Sequence, residues 1–158
     1  MKLLVILSSG GHTTNMLKLV SLLGDRFEYV YVVSKEDQLS AEKIEKAGQV
    51  YYAHKAREHG DNILVAIGKV LRLFGEAWRV IRKAEPAAIV SAGPGMAVPF
   101  SVLGKLLGKK VIFVEDYSRV SKASTSGKII YRFSDLFFIQ WPELKAVYPK
   151  AIYAGRLA

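Results

Sequence analysis

Short apolar runs alternate along the chain with longer stretches in which hydrophobic residues recur every three or four positions. The runs are typical of strands buried on both faces of a sheet, and the longer stretches are typical of helices. The pattern predicts strands at 2–8, 28–34, 49–53, 87–92, 109–115, 135–140 and 151–155, and helices at 13–23, 37–48, 62–83, 96–107 and 127–133. Because strands and helices alternate, we expect an α/β fold: a single Rossmann-like domain over residues 1–158, with a mostly parallel sheet and helices on both faces.

Capping residues locate several helix ends. Gly48 is suited to the C-terminal cap of the second helix, since glycine readily adopts the left-handed conformation found there. Asp61 or Asn62 can cap the long third helix, because their side-chain oxygens accept hydrogen bonds from the first-turn amides. One of the hydroxyl residues at 124–126 is expected to cap the fifth helix.

The loop "SSGGHTT", residues 8–14, follows the first strand. Gly10 and Gly11 let a ligand approach the main chain, while the next helix offers unpaired N–H groups and the hydroxyls of Thr13 and Thr14. The loop is therefore a candidate anion site, although a tight turn with threonine capping explains the same composition. His12 is a general base, an anion contact or a surface residue. The pattern is neither GxGxxG nor a Walker P-loop, so nicotinamide and ATP binding are not favoured.

Two further loops follow predicted strands. Gly93 and Gly95 in "SAGPGMAVP" (91–99) allow a sharp turn into a helix that points at the same edge of the sheet, or a close strand–helix crossing. In "VEDYSRVSKASTSGK" (114–128), Glu115 is a candidate base or acceptor for a sugar hydroxyl, and Arg119 can pair with a phosphate. A local Glu–Arg ion pair on a solvated loop is the alternative for those two residues.

Composition narrows the range of partners. The formal net charge of +9 and the pI of about 9.7 favour nucleic acid, an anionic membrane surface or phosphorylated substrates. No basic–aromatic motif supports nucleic-acid binding, so we expect no nucleic-acid partner. The absence of cysteine excludes disulfides and thiol catalysis, and no metal or cofactor is expected. The long uncharged stretch at 86–104 contains prolines and glycines that argue against a spanning helix, so any membrane contact should be peripheral.

The predicted long helix carries two stripes at helical spacing. Its basic stripe consists of Lys69, Arg72, Glu76, Arg79 and Lys83, and its apolar stripe of Ile63, Ile67, Val70, Phe74, Trp78 and Ile81. Val65, Leu73 and Val80 lie near the basic stripe, so the apolar arc is wider than one sheet face needs. Such a helix can lie on an anionic bilayer or a partner protein, or it can be a core helix with a solvated basic back.

Taken together, these loops resemble the Alg-fourteen/PssD type of glycosyltransferase subunit. The resemblance runs from the first strand almost to the last residue. It rests on "SSGGHTTNML" (8–17), "SAGPGMAVP" (91–99), "VEDYSRVSKASTSGKIIYRFSDLFFIQWPEL" (114–144) and "YAG" (153–155). The order and spacing of these segments carry the assignment, because each is weak alone.

The resemblance implies one half of an enzyme. Members of the family are similar to the N-terminal, acceptor-side half of GT-B glycosyltransferases such as the MurG-type enzyme, and a separate polypeptide carries the UDP-sugar site. The implied reaction transfers a sugar, N-acetylglucosamine in eukaryotic members, to a sugar on a polyprenyl or dolichyl diphosphate. We therefore expect a peripheral protein at the cytoplasmic face of an anionic membrane, inactive without its partner.

Roles for individual residues follow from the resemblance together with the loops. His12 and Glu115 are both candidates for the base that deprotonates the acceptor hydroxyl. Substrate contacts are expected from Gly10, Gly11, Thr13, Gly93, Gly95 and Arg119. Two alternatives stay open: a non-catalytic recruiter that places the partner on the membrane, and a stand-alone nucleotide-binding Rossmann protein.

Overall fold

The computed structural model describes residues 1–8, 10–56 and 62–157. It contains one sheet of seven strands in the order β3-β2-β1-β4-β5-β6-β7, and all neighbouring strands are parallel. The strands are β1 (Lys2–Ile6), β2 (Glu28–Ser34), β3 (Gly48–Ala53), β4 (Ala88–Ser91), β5 (Lys110–Val114), β6 (Leu136–Ile139) and β7 (Ile152–Tyr153). The order reverses between β1 and β4, and ligands of such sheets bind at the carboxyl ends of the strands near this switch point.

Five α-helices connect the strands in the described part of the chain. They are α1 (Gly11–Leu23), α2 (Gln38–Glu42), α3 (Ile63–Ala84), α4 (Ala97–Leu106) and α5 (Thr125–Ile130), and 3-10 turns occupy Gly24–Arg26 and Pro142–Ala146. Within the same residues, no helix combines the length and the hydrophobicity needed to cross a bilayer.

Two apolar clusters lie on opposite faces of the sheet. Alternate residues of β1 divide between them, with Leu4 and Ile6 in one cluster and Leu3 and Val5 in the other. The first cluster is covered by α3, α4 and α5, and the second by α1 and α2. The predicted fold class is therefore confirmed, because a parallel sheet is covered by helices on both faces.

Most predicted boundaries differ from the observed ones by a few residues, but the prediction for Gly48 is wrong. The second helix ends at Glu42, and Gly48 is the first residue of β3. A Cβ atom at residue 48 would lie 2.5 Å from the carbonyl oxygen of Tyr29 and 2.7 Å from the ring of Tyr31. Glycine is present here because β3 approaches β2 too closely for a side chain.

The cap predicted for the long helix is confirmed at Asn62, whose side chain accepts a hydrogen bond from the amide of Val65. Asp61, the other candidate, lies outside the described residues. The face of α3 that enters the core consists of Leu73, Ala77, Val80, Ile81 and Ala84. Most of the predicted apolar stripe lies elsewhere.

Part of the apolar surface of α3 faces solvent. Ile63 and Leu64 are 77% and 76% exposed, and Ile67 and Leu71 are also exposed. These four residues, here named the α3 patch, belong to the half of the helix that begins at the carboxyl edge of the sheet. The apolar arc is thus wider than the core requires, as the sequence indicated.

A second apolar surface lies on the opposite face of the sheet. Helices α1 and α2 pack over β1, β2 and β3, and next to α1 a groove of about 440 Å³ extends over β4, β5 and β6. Its walls include Leu22 of α1, Leu136 and Phe138 of β6, and residues 154–157. We name this feature the sheet groove.

Candidate active site at the carboxyl ends of the strands

The loop after β1 places His12 in the first turn of α1. Gly10 precedes the helix with a φ of 71°, a left-handed conformation that glycine adopts without strain. Cβ atoms built on Gly10 or Gly11 would meet no atom within 4 Å. The main chain of this turn is therefore open to an approaching molecule, as the sequence led us to expect.

His12 is paired with an acidic residue from the loop after β5. Its Nδ1 is buried and lies 2.6 Å from Oδ2 of Asp116, whereas the histidine side chain as a whole is 30% exposed. Asp116 Oδ1 accepts a hydrogen bond of 2.7 Å from the amide of Ser118. Both carboxylate oxygens are thus engaged, and Oδ2 lies within hydrogen-bonding distance of Nδ1.

The same contacts keep the carboxylate ionised. The hydrogen bond from His12 lowers the pKa of Asp116 well below its usual range, against the opposing effect of burial, and the Ser118 amide lowers it further. An ionised acceptor at Nδ1 selects the tautomer in which Nδ1 carries the proton. The lone pair of Nε2 is then available to accept a proton.

The loop after β4 completes the surroundings of the histidine. Gly93 has a φ of 88°, and a Cβ atom there would lie 3.0 Å from Cε1 of His12. A side chain at residue 93 would therefore require the ring to shift by a few tenths of an ångström. Gly95 is less constrained, because a Cβ atom there would make an ordinary contact of 3.6 Å with Ala56.

Thr13 is better explained as a structural contact than as a phosphate ligand. It is 1% exposed, and its hydroxyl donates a hydrogen bond to the carbonyl oxygen of Ser8. The hydroxyl oxygen of Thr13 also lies 2.9 Å from the hydroxyl oxygen of Ser40 in α2. Thr13 thus connects the start of α1 to β1 and α2, and its hydroxyl is not available to a ligand.

Glu115 lies at the centre of a buried network. It is fully buried; Oε1 accepts from the amide of Asp116 at 3.0 Å, and Oε2 accepts from the amide of Ser124 at 3.2 Å. Oε2 also accepts a hydrogen bond of 2.7 Å from the hydroxyl of Tyr148. A carboxylate with three donors and no solvent access is poorly placed to deprotonate a substrate.

Neighbouring residues maintain this network. Ser124, one of the predicted caps of α5, accepts a hydrogen bond of 2.9 Å from the amide of Gly127. A Cβ atom at Gly127 would clash with Oε2 of Glu115 and with the hydroxyls of Tyr148 and Ser124. Arg119 is exposed on the adjoining turn, and its amide donates to the carbonyl oxygen of Asp116 at 2.9 Å.

Sequence reasoning proposed His12, Gly93 and Gly95 for one site, and the structure brings their loops together. It did not propose Asp116, which pairs with the histidine. The available signal was the strand order, because loops after β1, β4 and β5 are neighbours at the carboxyl edge of such a sheet. A carboxylate at the end of β5 thus lies within reach of the helix that follows β1.

The residues described by the structure provide no group of three metal-ligating side chains. The walls of the sheet groove contain none of the predicted site residues. The candidate active site is therefore an open surface beside His12, with one wall.

Comparison with known proteins gives this surface a context. The family model described as "Oligosaccharide biosynthesis protein Alg14 like" matches residues 3–157. The UDP-N-acetylglucosamine transferase subunit ALG14 of Rattus norvegicus is 36% identical over 177 residues, covering 98% of this chain and 82% of the rat protein. The subunit of the same name from Homo sapiens is 35% identical, covering 99% of this chain and 83% of the human protein.

Solved structures with the same fold are larger. MurG of Acinetobacter baumannii superposes with a TM-score of 0.73 at 17% identity, over 90% of this chain and 42% of the MurG chain. UDP-GlcNAc 2-epimerase of Neisseria meningitidis, bound to UDP-GlcNAc, superposes with a TM-score of 0.73 at 9% identity, over 99% of this chain and 47% of the epimerase chain. This chain thus spans less than half the length of either protein, and the likeness concerns the fold.

Proposed function

The chain belongs to the family of Alg14-like oligosaccharide biosynthesis proteins, and from this membership we propose that it is the acceptor-side subunit of a UDP-N-acetylglucosamine transferase. The UDP-sugar site lies on a second polypeptide. The acceptor is a sugar linked to a polyprenyl or dolichyl diphosphate. The proposal rests on the names of the curated relatives and on one observation, the His12–Asp116 pair at the switch point.

The pair is suited to general base catalysis. Nε2 of His12 accepts the proton of the acceptor hydroxyl while the hydroxyl oxygen forms a bond to the anomeric carbon of the UDP-sugar. The bond between that carbon and the diphosphate oxygen breaks, and UDP leaves with the electron pair. Asp116 orients the ring and stabilises the imidazolium that forms.

The open geometry of the site supports a split enzyme. His12 lies at the edge of one Rossmann-like layer, and nothing in the described residues forms an opposite wall. The larger enzymes of the same fold extend well beyond the part that matches this chain. The partner must supply the opposite wall of the cleft, where the nucleotide binds and the leaving diphosphate is stabilised.

We place the docking surface for this partner at the sheet groove. Parallel sheets are normally covered on both faces, and here the described helices leave the apolar face over β5 and β6 open. Leu22 is 69% and Leu136 41% exposed at the groove. The occupant that we propose is an apolar helix face of the partner subunit, since the curated relatives are named as subunits.

Paired substitutions test this docking surface. Leu22→Glu should weaken binding of the partner at least tenfold, because a charge is then buried in an apolar contact. Leu39→Glu is the matched control, since Leu39 is 67% exposed on α2 and lies outside the groove. Equal affinities for the two variants would refute the assignment.

We place the protein at the cytoplasmic face of the membrane, as a peripheral protein held by the α3 patch. Four exposed aliphatic side chains near the carboxyl edge suit insertion between lipid head groups. The net charge of +9 favours an anionic surface. A lipid-linked acceptor would then meet His12 at the level of the bilayer surface.

Reconstitution tests the split-site proposal. We expect no transfer from UDP-N-acetylglucosamine to a prenyl-diphosphate-linked sugar by this chain or by the partner alone, and transfer when both are mixed. Robust transfer by this chain alone would overturn the proposal, as would tight binding of UDP-sugar in the absence of the partner.

A further inference from the structure

A small cavity opens at the carboxyl ends of β2 and β3, beside the first half of α3. Its volume is about 160 Å³, and its walls are Glu36, His54, Lys55, Lys69 and Arg72. Three of these five residues are lysine or arginine, and one is a histidine. The cavity lies outside the His12–Asp116 pair.

The acidic groups that face this cavity are already engaged. Glu76 accepts from the amide of His54 at 2.9 Å and lies 2.6 Å from His54 Nδ1. It also lies 4.0 Å from Nζ of Lys35 and 3.6 Å from Nε of Arg72. These contacts lower the pKa of Glu76 despite burial, so the carboxylate is ionised and its charge is offset by its neighbours.

Among the described residues, Glu36 is the other acidic group, and its carboxylate accepts a hydrogen bond from the hydroxyl of Ser34. With Lys69 set aside, Lys35, Lys55 and Arg72 outnumber the carboxylates of Glu36 and Glu76 by one charge. Arg72 is 61% exposed, so the guanidinium remains accessible to solvent while Glu76 fixes its stem. A planar guanidinium with Lys55 in the same cavity wall is well suited to phosphate oxygens.

The cavity is connected through neighbouring residues to both the candidate base and the α3 patch. Gly93 contacts His12, and Gly95 of the same loop lies next to Ala56, which directly follows the cavity residues His54 and Lys55. On its other side, Lys69 and Arg72 share α3 with the exposed aliphatic residues. The candidate base, the cationic cavity and the α3 patch thus belong to neighbouring elements at one edge of the sheet.

The start of α1 is a weaker phosphate site than the sequence indicated. A helix N-terminus provides about half a unit of positive charge. Here the ionised carboxylate of Asp116 lies beside that turn, and the hydroxyl of Thr13 donates a hydrogen bond to the carbonyl oxygen of Ser8. A diphosphate, charged on both phosphoryl groups, is better balanced by the cations at the end of β3.

We propose that the cavity lined by His54, Lys55 and Arg72 binds the diphosphate of the lipid-linked acceptor. The sugar then reaches His12 and the prenyl chain lies along the α3 patch. This inference rests on the proposed function for the identity of the acceptor. The shared chemistry is a phosphate ester at a membrane surface, and the experiment separates the acceptor from bulk phospholipid.

Calorimetric titration of the purified chain with inorganic pyrophosphate and with farnesyl diphosphate tests the site. Arg72→Gln and Lys55→Gln should each weaken both ligands about tenfold, because each removes a direct phosphate contact. Arg79→Gln is the matched control, since it removes the same charge from an exposed position two turns further along α3. We expect less than a twofold effect from it.

Equal weakening by the Arg72 and Arg79 variants would overturn the proposal, because only net charge would then matter. Sedimentation with phosphatidylglycerol vesicles provides the second arm. If Arg72→Gln loses vesicle binding selectively and still binds both diphosphates normally, the cavity holds phospholipid head groups and the proposal is wrong. We expect Arg72→Gln and Arg79→Gln to lose vesicle binding equally.

The binding measurements need no transferase activity, so they can succeed even if the proposed function fails. In the reconstituted pair, Arg72→Gln should raise the KM for the acceptor about tenfold and leave kcat nearly unchanged. A fall in kcat at unchanged KM would count against a binding role.

Discussion

Residues of two different loops hold the imidazole ring of His12. Oδ2 of Asp116 lies 2.6 Å from Nδ1, and Gly93 leaves room for the ring where a Cβ atom would lie only 3.0 Å from it. Neither residue has to touch the substrate for this effect. In the proposed mechanism both act through the orientation and the tautomer of the histidine, and Asp116 is a positioning residue.

Asp116→Asn tests that role in the reconstituted pair. An asparagine amide can present an N–H to Nδ1, which favours the tautomer whose Nε2 already carries a proton. We expect kcat to fall about tenfold to a hundredfold, with little change in the KM for the acceptor. Nitrogen NMR of the histidine ring should report the change of tautomer, and an unchanged tautomer with full activity would contradict the role.

Glu115 and His12 should respond differently to substitution. Glu115→Gln places an N–H group among the donors that bonded the carboxylate, so the free energy of unfolding should fall by about 2–4 kcal/mol. His12→Asn, at a partly exposed position, should change it by less than about 1 kcal/mol. Denaturant unfolding measures both, and a fully stable Glu115→Gln variant would contradict the structural role.

At the scale of single residues, the sequence allowed the loops to be predicted but not their contacts. Glycines, a histidine and a carboxylate after buried strands marked the site. The sequence could not distinguish Glu115 from its neighbour Asp116, because consecutive residues after a strand diverge sharply in direction. Glu115 points into the core and Asp116 points to His12, and the path of the backbone decides which residue does which.

Helix α3 is the element with the clearest surface role. Leu71→Glu should reduce the partition of the protein onto anionic vesicles about tenfold to a hundredfold, because an inserted leucine contributes about 1.5–3 kcal/mol. Folding stability should be unaffected, since Leu71 is 66% exposed.

Leu106→Glu is the control for vesicle binding. Leu106 is 76% exposed near the end of α4, at the opposite edge of the sheet. Vesicle sedimentation of the two variants should differ by at least fivefold, as estimated from the same transfer energy. Identical partition would show that the α3 patch does not insert.

The helix also illustrates the limit of periodicity. Its apolar residues cover more than one face, and the sequence alone does not say which of them meets the sheet. The core selected the face with Leu73, Ala77 and Val80, because small and branched side chains there fit against α4 and the strands. Most of the stripe that began at Ile63 was left outside the core, and Ile81 is its buried member.

The carboxylate of Asp135, just before β6, makes the folding stability depend on pH. Asp135 accepts from the amide of Val111 at 2.9 Å, and it pairs with Lys105 at 2.9 Å and Lys110 at 3.2 Å. Burial opposes ionisation, but these contacts lower the pKa to about 2 from 3.8. Because the folded pKa lies below the unfolded one, the stabilisation is present above about pH 4 and is lost as the pH falls towards 2.

Asp135→Asn removes that contribution. The free energy of unfolding should fall by about 1–2 kcal/mol at neutral pH, and its decrease between about pH 4 and 2 should become shallower. Denaturant titrations at several pH values measure both effects. A variant with the same acid dependence as the parent would contradict the assignment.

At the scale of the whole molecule, strand order explains why the site lies where it does. Loops after β1, β4 and β5 meet because the order reverses between β1 and β4. Alternating apolar runs were sufficient to predict this sheet, since strands buried on both faces leave a strong pattern. The sheet groove was not predictable, because residues on an open apolar face are as apolar as residues that face the core.

A protein with two open apolar surfaces and an open candidate site at the carboxyl edge is suited to the proposed place between a membrane and a partner. The α3 patch and the sheet groove lie on opposite faces of the sheet. Both can therefore be occupied at once while the carboxyl edge stays accessible. This arrangement supports a catalytic subunit, and it would equally serve a recruiter without chemistry.

The initial rate of sugar transfer by the reconstituted pair carrying His12→Asn separates these two roles most directly. Partner affinity and vesicle binding should match those of the parent, because His12 lies in neither surface. The account predicts a fall in kcat of about a hundredfold or more, the contribution expected of a general base. A variant pair that transfers sugar within twofold of the parent rate would contradict it.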